Sequence, residues 1–273
     1  MNSPSPPAWS FEVRDPLRFS LDVSGVAPTA FCSLDELLAH PVLQGRDAVA
    51  LGELLRITPS PDGIERWSGH LQQVNGIGVG NHNRQIEIFG SPGHRVGVGM
   101  SGGTLRIEGN VGDDLGSGLA GGTIVVTGSA GARAGGFPPG AKLGMRGGII
   151  LVGGDTGPET GQKMRRGLIA VRGTAAAGAA NLMIAGTLVA GGLQGPFGLG
   201  LKRGTIICQT KPAIPAWFGP QVAVEFSFTR ILAKFLAAHG PSTWFPFLQA
   251  THWSRAQGDR LERNQGELLT LFT

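Results

Sequence analysis

The sequence predicts an all-β fold, a right-handed parallel β-helix of about seven coils, on three observations. Glycines recur at one place in a repeat, at steps of 19, 19, 26, 19 and 19 residues. Before each of them, aliphatic residues alternate with other residues, which is typical of a strand with one buried face. A second glycine series precedes each strand, at corners where positive φ costs little. A period of this length indicates a solenoid. The first glycine series is Gly90, Gly109, Gly128, Gly154, Gly173 and Gly192.

The same register can be followed from one coil to the next. The position that begins each strand holds Gln85, Thr104, Thr123, Ile149, Leu168, Thr187 and Thr205. The inward position three residues later holds Ile88, Ile107, Val126, Val152, Val171, Ala190 and Cys208. Because every coil turns the same way, the strands are predicted to run parallel, and right-handed crossovers are the default. A left-handed helix needs a period of three hexapeptides, which only the step from Thr187 to Thr205 fits.

The repeat region divides the chain into three predicted parts. Residues 1–66 form a small N-terminal cap, residues 67–210 the parallel β-helix, and residues 211–273 a C-terminal helix and an extended arm that could lie on a neighbour. A cap is expected because an open solenoid end exposes unpaired strand edges. Ser33-Leu34-Asp35-Glu36 is a capping box that begins a short helix. Helical spacing is found at Phe228, Ile231, Leu232, Phe235 and Leu236.

Composition excludes several classes of protein. The net charge of +4 is too small an excess to indicate nucleic acid, and it suits acidic small molecules or partner surfaces equally well. The two cysteines, Cys32 and Cys208, provide no disulfide framework. The first seven residues lack the basic and apolar regions of a secretory signal, and no apolar run approaches transmembrane length. We therefore expect a cytoplasmic protein.

The sequence offers no catalytic residues and no metal ligands in a convincing arrangement. A stand-alone carbohydrate-active β-helix enzyme needs acids clustered on one outward strand face. The outward register here begins with Glu87 and Arg106 and then becomes apolar. His70, His82 and His94 fall at three different registers, so they should not converge on a metal ion. One inward register predicts a stacked core column at Met100, Met145, Met164 and Met183.

The apolar part of the outward register is unexpected on a face that water should reach. Contiguous apolar surface of this kind indicates an interface or a covering segment. Two interpretations stay open: a helix near residues 226–238 packs there, or another subunit does. We call these residues the apolar row and name them as candidate subunit-interface residues: Val125, Leu151, Ala170, Val189 and Ile207.

One corner of the predicted coils is strongly basic. Like charges stacked about 5 Å apart cost under about 1 kcal/mol per pair in water, so a plain solvated corner is one interpretation. The other is a binding site for an acidic partner or a polyanionic ligand that lies along the edge. Lys142 and Lys163 lie close by in the sequence. We call the following residues the basic corner: Arg146, Arg165, Arg166, Lys202 and Arg203.

The repeats and both flanks resemble the family of the formylmethanofuran dehydrogenase C subunit. The resemblance rests on Gly-Gly-Thr-Leu-Arg-Ile-Glu-Gly-Asn-Val-Gly (102–112), Gly-Gly-Thr-Ile-Val-Val-Thr-Gly-Ser-Ala-Gly (121–131) and the run from Met145 to Gly154. It extends to 33–37, 51–54, 258–259 and 266–269 and covers roughly residues 17–270. Within this family the chain looks most like the C subunit of the bacterial formyltransferase/hydrolase complex. A related β-helix forms the C-terminal domain of the glutamate synthase large subunit.

The resemblance implies a non-catalytic structural or docking subunit in one-carbon metabolism based on tetrahydromethanopterin, as in methylotrophy. Its sister subunits, a formyltransferase, an amidohydrolase-like subunit and a further subunit, would move a formyl group to a methanofuran-like carrier and release formate. The family carrier has a glutamate-rich tail, which the basic corner could guide. This chain itself would bind no cofactor. An alternative within the family is the C subunit of a true formylmethanofuran dehydrogenase, whose sister subunits carry a molybdenum or tungsten pterin and iron–sulfur clusters.

Overall fold

The computed structural model of the chain describes residues 8–26, 31, 33–262 and 265–272. The sequence-based predictions for Cys32 and for the first seven residues lie outside these ranges. The strands are β1 (Ala8–Val13), β2 (Leu21–Asp22), β3 (Pro41–Gln44), β4 (Asp47–Ala50), β5 (Leu55–Ser60), β6 (Glu65–Gly69), β7 (Val74–Asn75), β8 (Gln85–Phe89), β9 (Ser101–Glu108), β10 (Gly121–Val126), β11 (Ile149–Val152), β12 (Leu168–Ala175), β13 (Ala185–Leu193), β14 (Arg203–Cys208), β15 (Val222–Glu225), β16 (His252–Gly258) and β17 (Gly266–Leu271). The helices are α1 (Leu34–Leu38), α2 (Leu51–Leu54) and α3 (Phe228–Ala237), with 3-10 turns at Leu71–Gln73 and Pro246–Gln249.

One large mixed sheet dominates the mostly β structure. Its thirteen strands follow the order β15-β16-β17-β14-β13-β12-β11-β10-β9-β8-β6-β1-β5. The run from β1 through β6 and β8 to β14 and on to β17 is parallel throughout. The two ends of the sheet are antiparallel, where β5 pairs with β1 and where β16 and β15 follow β17. A second sheet has the order β4-β3-β2-β7.

The strand register predicted from the repeat is confirmed in the parallel region. Gln85 pairs with Thr104, and Thr104 pairs with Thr123. The single longer step of 26 residues in the sequence indicated an insertion between two repeats. The column continues across this insertion, because Thr123 pairs with Ile149. From Ile149 the column continues through Leu168 and Thr187 to Thr205, and the first position of each strand stays in register. The aliphatic positions of each strand consequently stack on one another and are buried.

Backbone hydrogen bonds also join the repeats outside these strands. Isolated parallel bridges link Val111 to Ala130, Ala130 to Thr156 and Thr156 to Ala175. A further column lies at the turns, where the amide of Gly116 donates to the Val96 carbonyl and that of Gly135 to the Leu115 carbonyl. Neighbouring repeats are therefore held in register at several places along each turn of the chain.

A ladder of polar side chains follows the first glycine series. Asn110 N–H donates to Ser91 Oγ at 3.1 Å, Ser129 N–H to Asn110 Oδ1 at 2.8 Å, Asp155 N–H to Ser129 Oγ at 3.0 Å and Thr174 N–H to Asp155 Oδ1 at 2.7 Å. Each side chain thus accepts a hydrogen bond from the backbone of the next repeat. These bonds satisfy amides that the strand ladder leaves unpaired.

Removing one member of this ladder is expected to destabilise the stack locally. In Asp155→Ala the Thr174 amide loses its acceptor, which we expect to lower the free energy of unfolding by about 1–2 kcal/mol. Urea unfolding followed by circular dichroism measures the change. Thr174→Val is the matched control, because the Thr174 hydroxyl makes no hydrogen bond within the described residues. Equal losses in both variants would contradict a role for the ladder.

The N-terminal segment continues the stack of strands. β1 lies between β6 and β5 in the large sheet, and the Phe11 and Trp67 rings stack with centroids 4.2 Å apart. Residues of this segment belong to the same core as the repeats. The predicted capping interaction is present, since Glu36 N–H donates to Ser33 Oγ at the start of α1.

The C-terminal segment differs from the prediction in one respect. A helix was expected near residues 226–238, and α3 confirms it. The stretch interpreted as an arm laid on a neighbour instead forms β16 and β17, which enter the chain's own sheet. The physical reason is that the row of strands ends at β14, and Leu268 of β17 continues the buried aliphatic column beside Ile206. None of the helices in the described residues has the length and apolar character needed to cross a membrane.

Candidate functional site

The basic corner is positioned by the residues that immediately precede it. Met145, Met164 and Leu201 point into the core and are fully buried, and the next residue in each case is an exposed cation. The backbone repeats this arrangement, because Arg165 N–H donates to the Met145 carbonyl at 2.8 Å and Lys202 N–H to the Met183 carbonyl at 2.9 Å. The prediction of a stacked methionine column is confirmed, and this column fixes the direction of the cations.

A gap between two rows of the basic corner forms an open cleft of about 390 Å³. The row between them carries Ile184 and Ala185, which are shorter than arginine and form its floor. Successive rows of a sheet lie roughly 4.8 Å apart, so rows separated by one other row lie roughly 10 Å apart. Arg165 and Arg166 line one side, and Arg203 lines the other.

The remaining members of the basic corner lie outside this cleft. Arg146 is exposed one row before Arg165 and does not line it. Lys202 lines a neighbouring cleft with Arg203 and Glu262, and its Nζ lies 3.7 Å from Glu262 Oε2. The structure therefore brings three of the five predicted residues together around one concavity.

The charges of the arginines in the basic corner are not compensated by any carboxylate among the described residues. Within the described residues, Arg146, Arg165, Arg166 and Arg203 make no ion pair and no side-chain hydrogen bond. Six arginines elsewhere in the chain are compensated by nearby carboxylates: Arg56 by Glu12, Arg66 by Asp62 and Glu87, Arg84 by Glu65, Arg95 by Asp22, Arg133 by Asp114, and Arg255 by Glu267. Uncompensated guanidinium groups around a cleft suit a carboxylate or phosphate, which arginine binds with paired hydrogen bonds.

The apolar row is covered by the chain itself. Its five residues are buried in a second core, which α3, the 3-10 turn Pro246–Gln249 and Trp253 complete. We call residues 226–251 the covering segment. Of the two sequence-based interpretations, the first is correct, because a helix of this chain packs on the apolar row. The assignment of these five residues as a subunit interface was wrong, because their side chains are buried within the chain. The sequence could not distinguish the two interpretations, because a covering helix and a second subunit would both require apolar side chains at these positions.

Arg95, Asp114, Arg133 and Glu159 share one register of the sequence repeat and alternate in sign, which predicts a stacked ladder of ion pairs. This ladder forms only in part. Arg133 makes two hydrogen bonds to Asp114, of 2.7 and 2.8 Å, as expected. Arg95 instead binds Asp22 of β2 at 2.8 Å, and so joins the N-terminal segment to the repeats. Both arginines have positive φ, near 64° and 60°, which directs their side chains along the corner.

The buried carboxylate of Glu65 serves the fold. Burial raises the pKa of the Glu65 carboxyl, against the effect of Arg84, with which it forms an ion pair. Its other oxygen accepts a hydrogen bond of 2.7 Å from Trp67 Nε1. Burial likewise raises the pKa of the Cys208 thiol. Within the described residues, no group of three or more His, Cys, Asp or Glu side chains could hold a metal ion.

The comparison with solved structures identifies a close relative. The X-ray crystal structure of the formyltransferase/hydrolase complex from Methylorubrum extorquens, in complex with methylofuran, contains a chain that superposes on this one with a TM-score of 0.89. The two chains are 31% identical, and the match covers 97% of this chain and 100% of that one. This chain belongs to the same family as that subunit. No protein-family model and no curated protein sequence matches it.

Family membership narrows the interpretation of the site. The relative is a subunit of an enzyme complex, so surfaces that contact other subunits or their shared ligand are the features to seek. The apolar row cannot be one, because the covering segment buries it. The basic corner, with its open cleft, is exposed, and this corner is the candidate site that the sequence had already indicated.

Proposed function

We propose that this chain is a non-catalytic structural and docking subunit of a formyltransferase/hydrolase complex, equivalent to its C subunit. The observation that carries the proposal is the 31% identity to a subunit of such a complex over the whole of both chains. In the proposed reaction, formyl-tetrahydromethanopterin gives formate through a methanofuran-like carrier. The proposed partners are a formyltransferase, an amidohydrolase-like subunit and a further subunit, all in the cytoplasm.

We further infer that the repeat region is a right-handed parallel β-helix. The in-register parallel strands support this, as do the parallel bridges and the turn hydrogen bonds that recur at the same positions of successive repeats. A chain wound in this way fills its interior with side chains and presents long outer walls. Such walls suit the docking of other subunits.

A non-catalytic role is supported by how the chain uses its chemically capable groups. The Glu65 carboxylate is occupied by Arg84 and Trp67, and the Asp114 carboxylate by Arg133. The inward methionines pack beneath the corner glycines of the next repeat. On this proposal the reaction takes place in the sister subunits, and tetrahydromethanopterin and the carrier bind there.

An omission experiment tests the proposal. The complex is reconstituted from all subunits or without this chain, and formate release and the make-up of the assembly are measured. We expect the chain alone to be inactive and its omission to reduce assembly, while the transferase activity of its isolated sister subunit persists. Formate release by this chain alone, or a molybdenum or tungsten pterin in the complex, would favour the dehydrogenase or another enzyme instead.

We also propose that the basic corner guides the acidic tail of the carrier or an acidic partner surface. Replacing four of its cations by Gln should raise the apparent KM for the carrier about tenfold or more, while the complex still assembles. Because the cations are exposed, the effect should diminish at high salt. Unchanged kinetics in an intact complex would exclude carrier binding. The four cations are Arg165, Arg166, Lys202 and Arg203.

The chain offers a matched control for this variant. Three arginines and one lysine that are also exposed lie outside the basic corner: Arg14, Arg46, Arg172 and Lys211. Replacing these by Gln changes the net charge by the same amount. The apparent KM should stay near that of the wild type. A similar increase of the apparent KM in both variants would show that the effect depends only on the total charge of the chain.

A further inference from the structure

Helix α3 has apolar side chains on two separate faces. Thr229, Ala233 and Leu236 are buried, and the two apolar residues of these belong to the second core. Phe228, Ile231 and Phe235 follow each other at helical spacing on another face and are exposed by 36%, 70% and 44%. A surface helix with one buried face normally carries polar residues on the remaining faces. We call Phe228, Ile231 and Phe235 the outer stripe.

Both aromatic rings of the outer stripe have fixed neighbours. The Phe235 ring lies 4.4 Å from the ring of His239, and His239 Nδ1 is 2.8 Å from the Phe235 carbonyl oxygen. The Phe228 ring meets Phe226 edge to face at 5.8 Å. A rigid helix with aromatic rings already held in place loses little conformational entropy when a partner binds. Aromatic residues of this kind are typical anchors of interfaces.

The charge beside the outer stripe is positive and uncompensated. Arg230 and Lys234 are exposed on the same helix. The covering segment contains no Asp or Glu at all, whereas it contains these two cations. Within the described residues neither side chain forms an ion pair. A partner surface that complements this region is therefore apolar at its centre and carries carboxylates at its edge.

The same charges argue against other occupants. A second copy of this chain docked through the outer stripe would bring Arg230 and Lys234 of both copies together, which is unfavourable. A lipid surface would be contacted by only three apolar side chains, because the opposite face of α3 is already packed on the second core. A protein surface that is apolar at its centre and has carboxylates at its edge complements both the outer stripe and the two cations beside it.

We propose that the outer stripe is the docking site for a sister subunit of the complex, through an apolar surface bordered by carboxylates. This inference rests on the proposed function and adds the surface and the chemistry of the contact. It also explains why the covering segment carries apolar side chains on both sides: one side stabilises the fold, and the other binds the partner.

The test uses this chain co-expressed with the proposed formyltransferase, amidohydrolase-like and further subunits. In Ile231→Glu we expect the amount of sister subunits that co-purify to fall about tenfold or more, because a carboxylate is placed at the centre of the contact. Ile231 is highly exposed, so the circular dichroism spectrum and unfolding midpoint of the chain should not change. Leu43→Glu on β3 is the matched control, a change of the same kind at a side chain that is 59% exposed.

A chemical cross-link tests the charge of the partner surface. A carbodiimide joins the Lys234 amine directly to a carboxylate in contact with it, and mass spectrometry should recover Lys234 linked to an Asp or Glu of a sister subunit. Lys234→Arg keeps the charge, so this variant should assemble normally and lose that cross-link. Lys234→Glu should weaken assembly about tenfold or more.

The outcomes separate this inference from the proposed function. If the wild-type chain brings down no sister subunit, the proposed function fails. If the wild type and Ile231→Glu assemble equally, or Leu43→Glu assembles as poorly as Ile231→Glu, the complex stands and the outer stripe is not its docking site. Dimerisation of the isolated chain, or binding to anionic phospholipid vesicles, that Ile231→Glu abolishes would also overturn the inference.

Discussion

Leu151→Asp is expected to release the covering segment while the parallel strands remain paired. The Leu151 side chain is fully buried in the second core, and its Cδ1 lies against the backbone of Gly240. A carboxylate there would be surrounded by apolar side chains without a cation, at a cost of about 3–5 kcal/mol if the segment stayed in place. Detachment hydrates the charge. The inward aliphatic residues of the repeats form a separate cluster on the other face of the sheet, which we call the first core.

Hydrogen exchange measures this outcome directly. Amides of residues 226–251 should lose protection, whereas those of β9 to β13 should keep most of theirs. Leu151→Met is the control, because a volume-conserving apolar change is tolerated and should leave the covering segment protected. Uniform loss of protection over the whole sheet would show that the apolar row and the first core do not separate.

Gly103→Ala is expected to be among the most destabilising single changes in the repeats. Gly103 has a φ of 76°, and an added Cβ would overlap the carbonyl oxygen of Arg84 in the preceding repeat. The side chain of Asn81 also lies beneath it, held by two 3.0 Å hydrogen bonds to Arg84. The backbone strain and the steric overlap together should lower the free energy of unfolding by about 3 kcal/mol or more.

Gly99→Ala separates the two causes of this loss. Gly99 has a similar φ of 66°, but an added Cβ there would meet no atom within 4 Å. We expect a loss of about 1 kcal/mol, from the left-handed backbone conformation alone. Urea midpoints of the two variants, measured side by side, give the cost of the contact between repeats. Equal losses would contradict close stacking at this corner.

The repeats and their register could be predicted because each structural position occurs several times in the sequence. Thr104, Thr123 and Ile149 pair as the repeat indicated, even across the longer step. The inward methionines were predicted for the same reason, since Leu119 and Leu201 replace them in an otherwise constant column. A repeated pattern averages out the local exceptions that make single elements hard to predict.

Contacts that occur once could not be predicted in this way. β17 has no counterpart in the repeat spacing, and its pairing with β14 depends on a chain segment that returns after a long excursion. Arg95 was assigned to a ladder with Asp114, but Asp22 of the N-terminal segment binds it instead. The polar ladder had a detectable signal, because Ser91, Asn110 and Ser129 occupy one column, but their backbone acceptor role needs the geometry.

The site was predicted in part for the same physical reasons. The basic corner is a repeated feature, and Arg165, Arg166 and Arg203 do meet around one cleft. Its cleft was not foreseen, because it depends on the small residues of the intervening row. The outer stripe was visible only as helical spacing, since which face of α3 is buried depends on how the helix lies on the apolar row.

Affinity purification from the native cell, with a tag on this chain, tests the central claim most directly. Intact mass and metal content of the purified assembly would be measured together with formate release. We predict a stable assembly that contains a formyltransferase and an amidohydrolase-like subunit, carries no metal–pterin and releases formate. A chain that is recovered alone, or together with a molybdenum or tungsten pterin enzyme, would contradict the account.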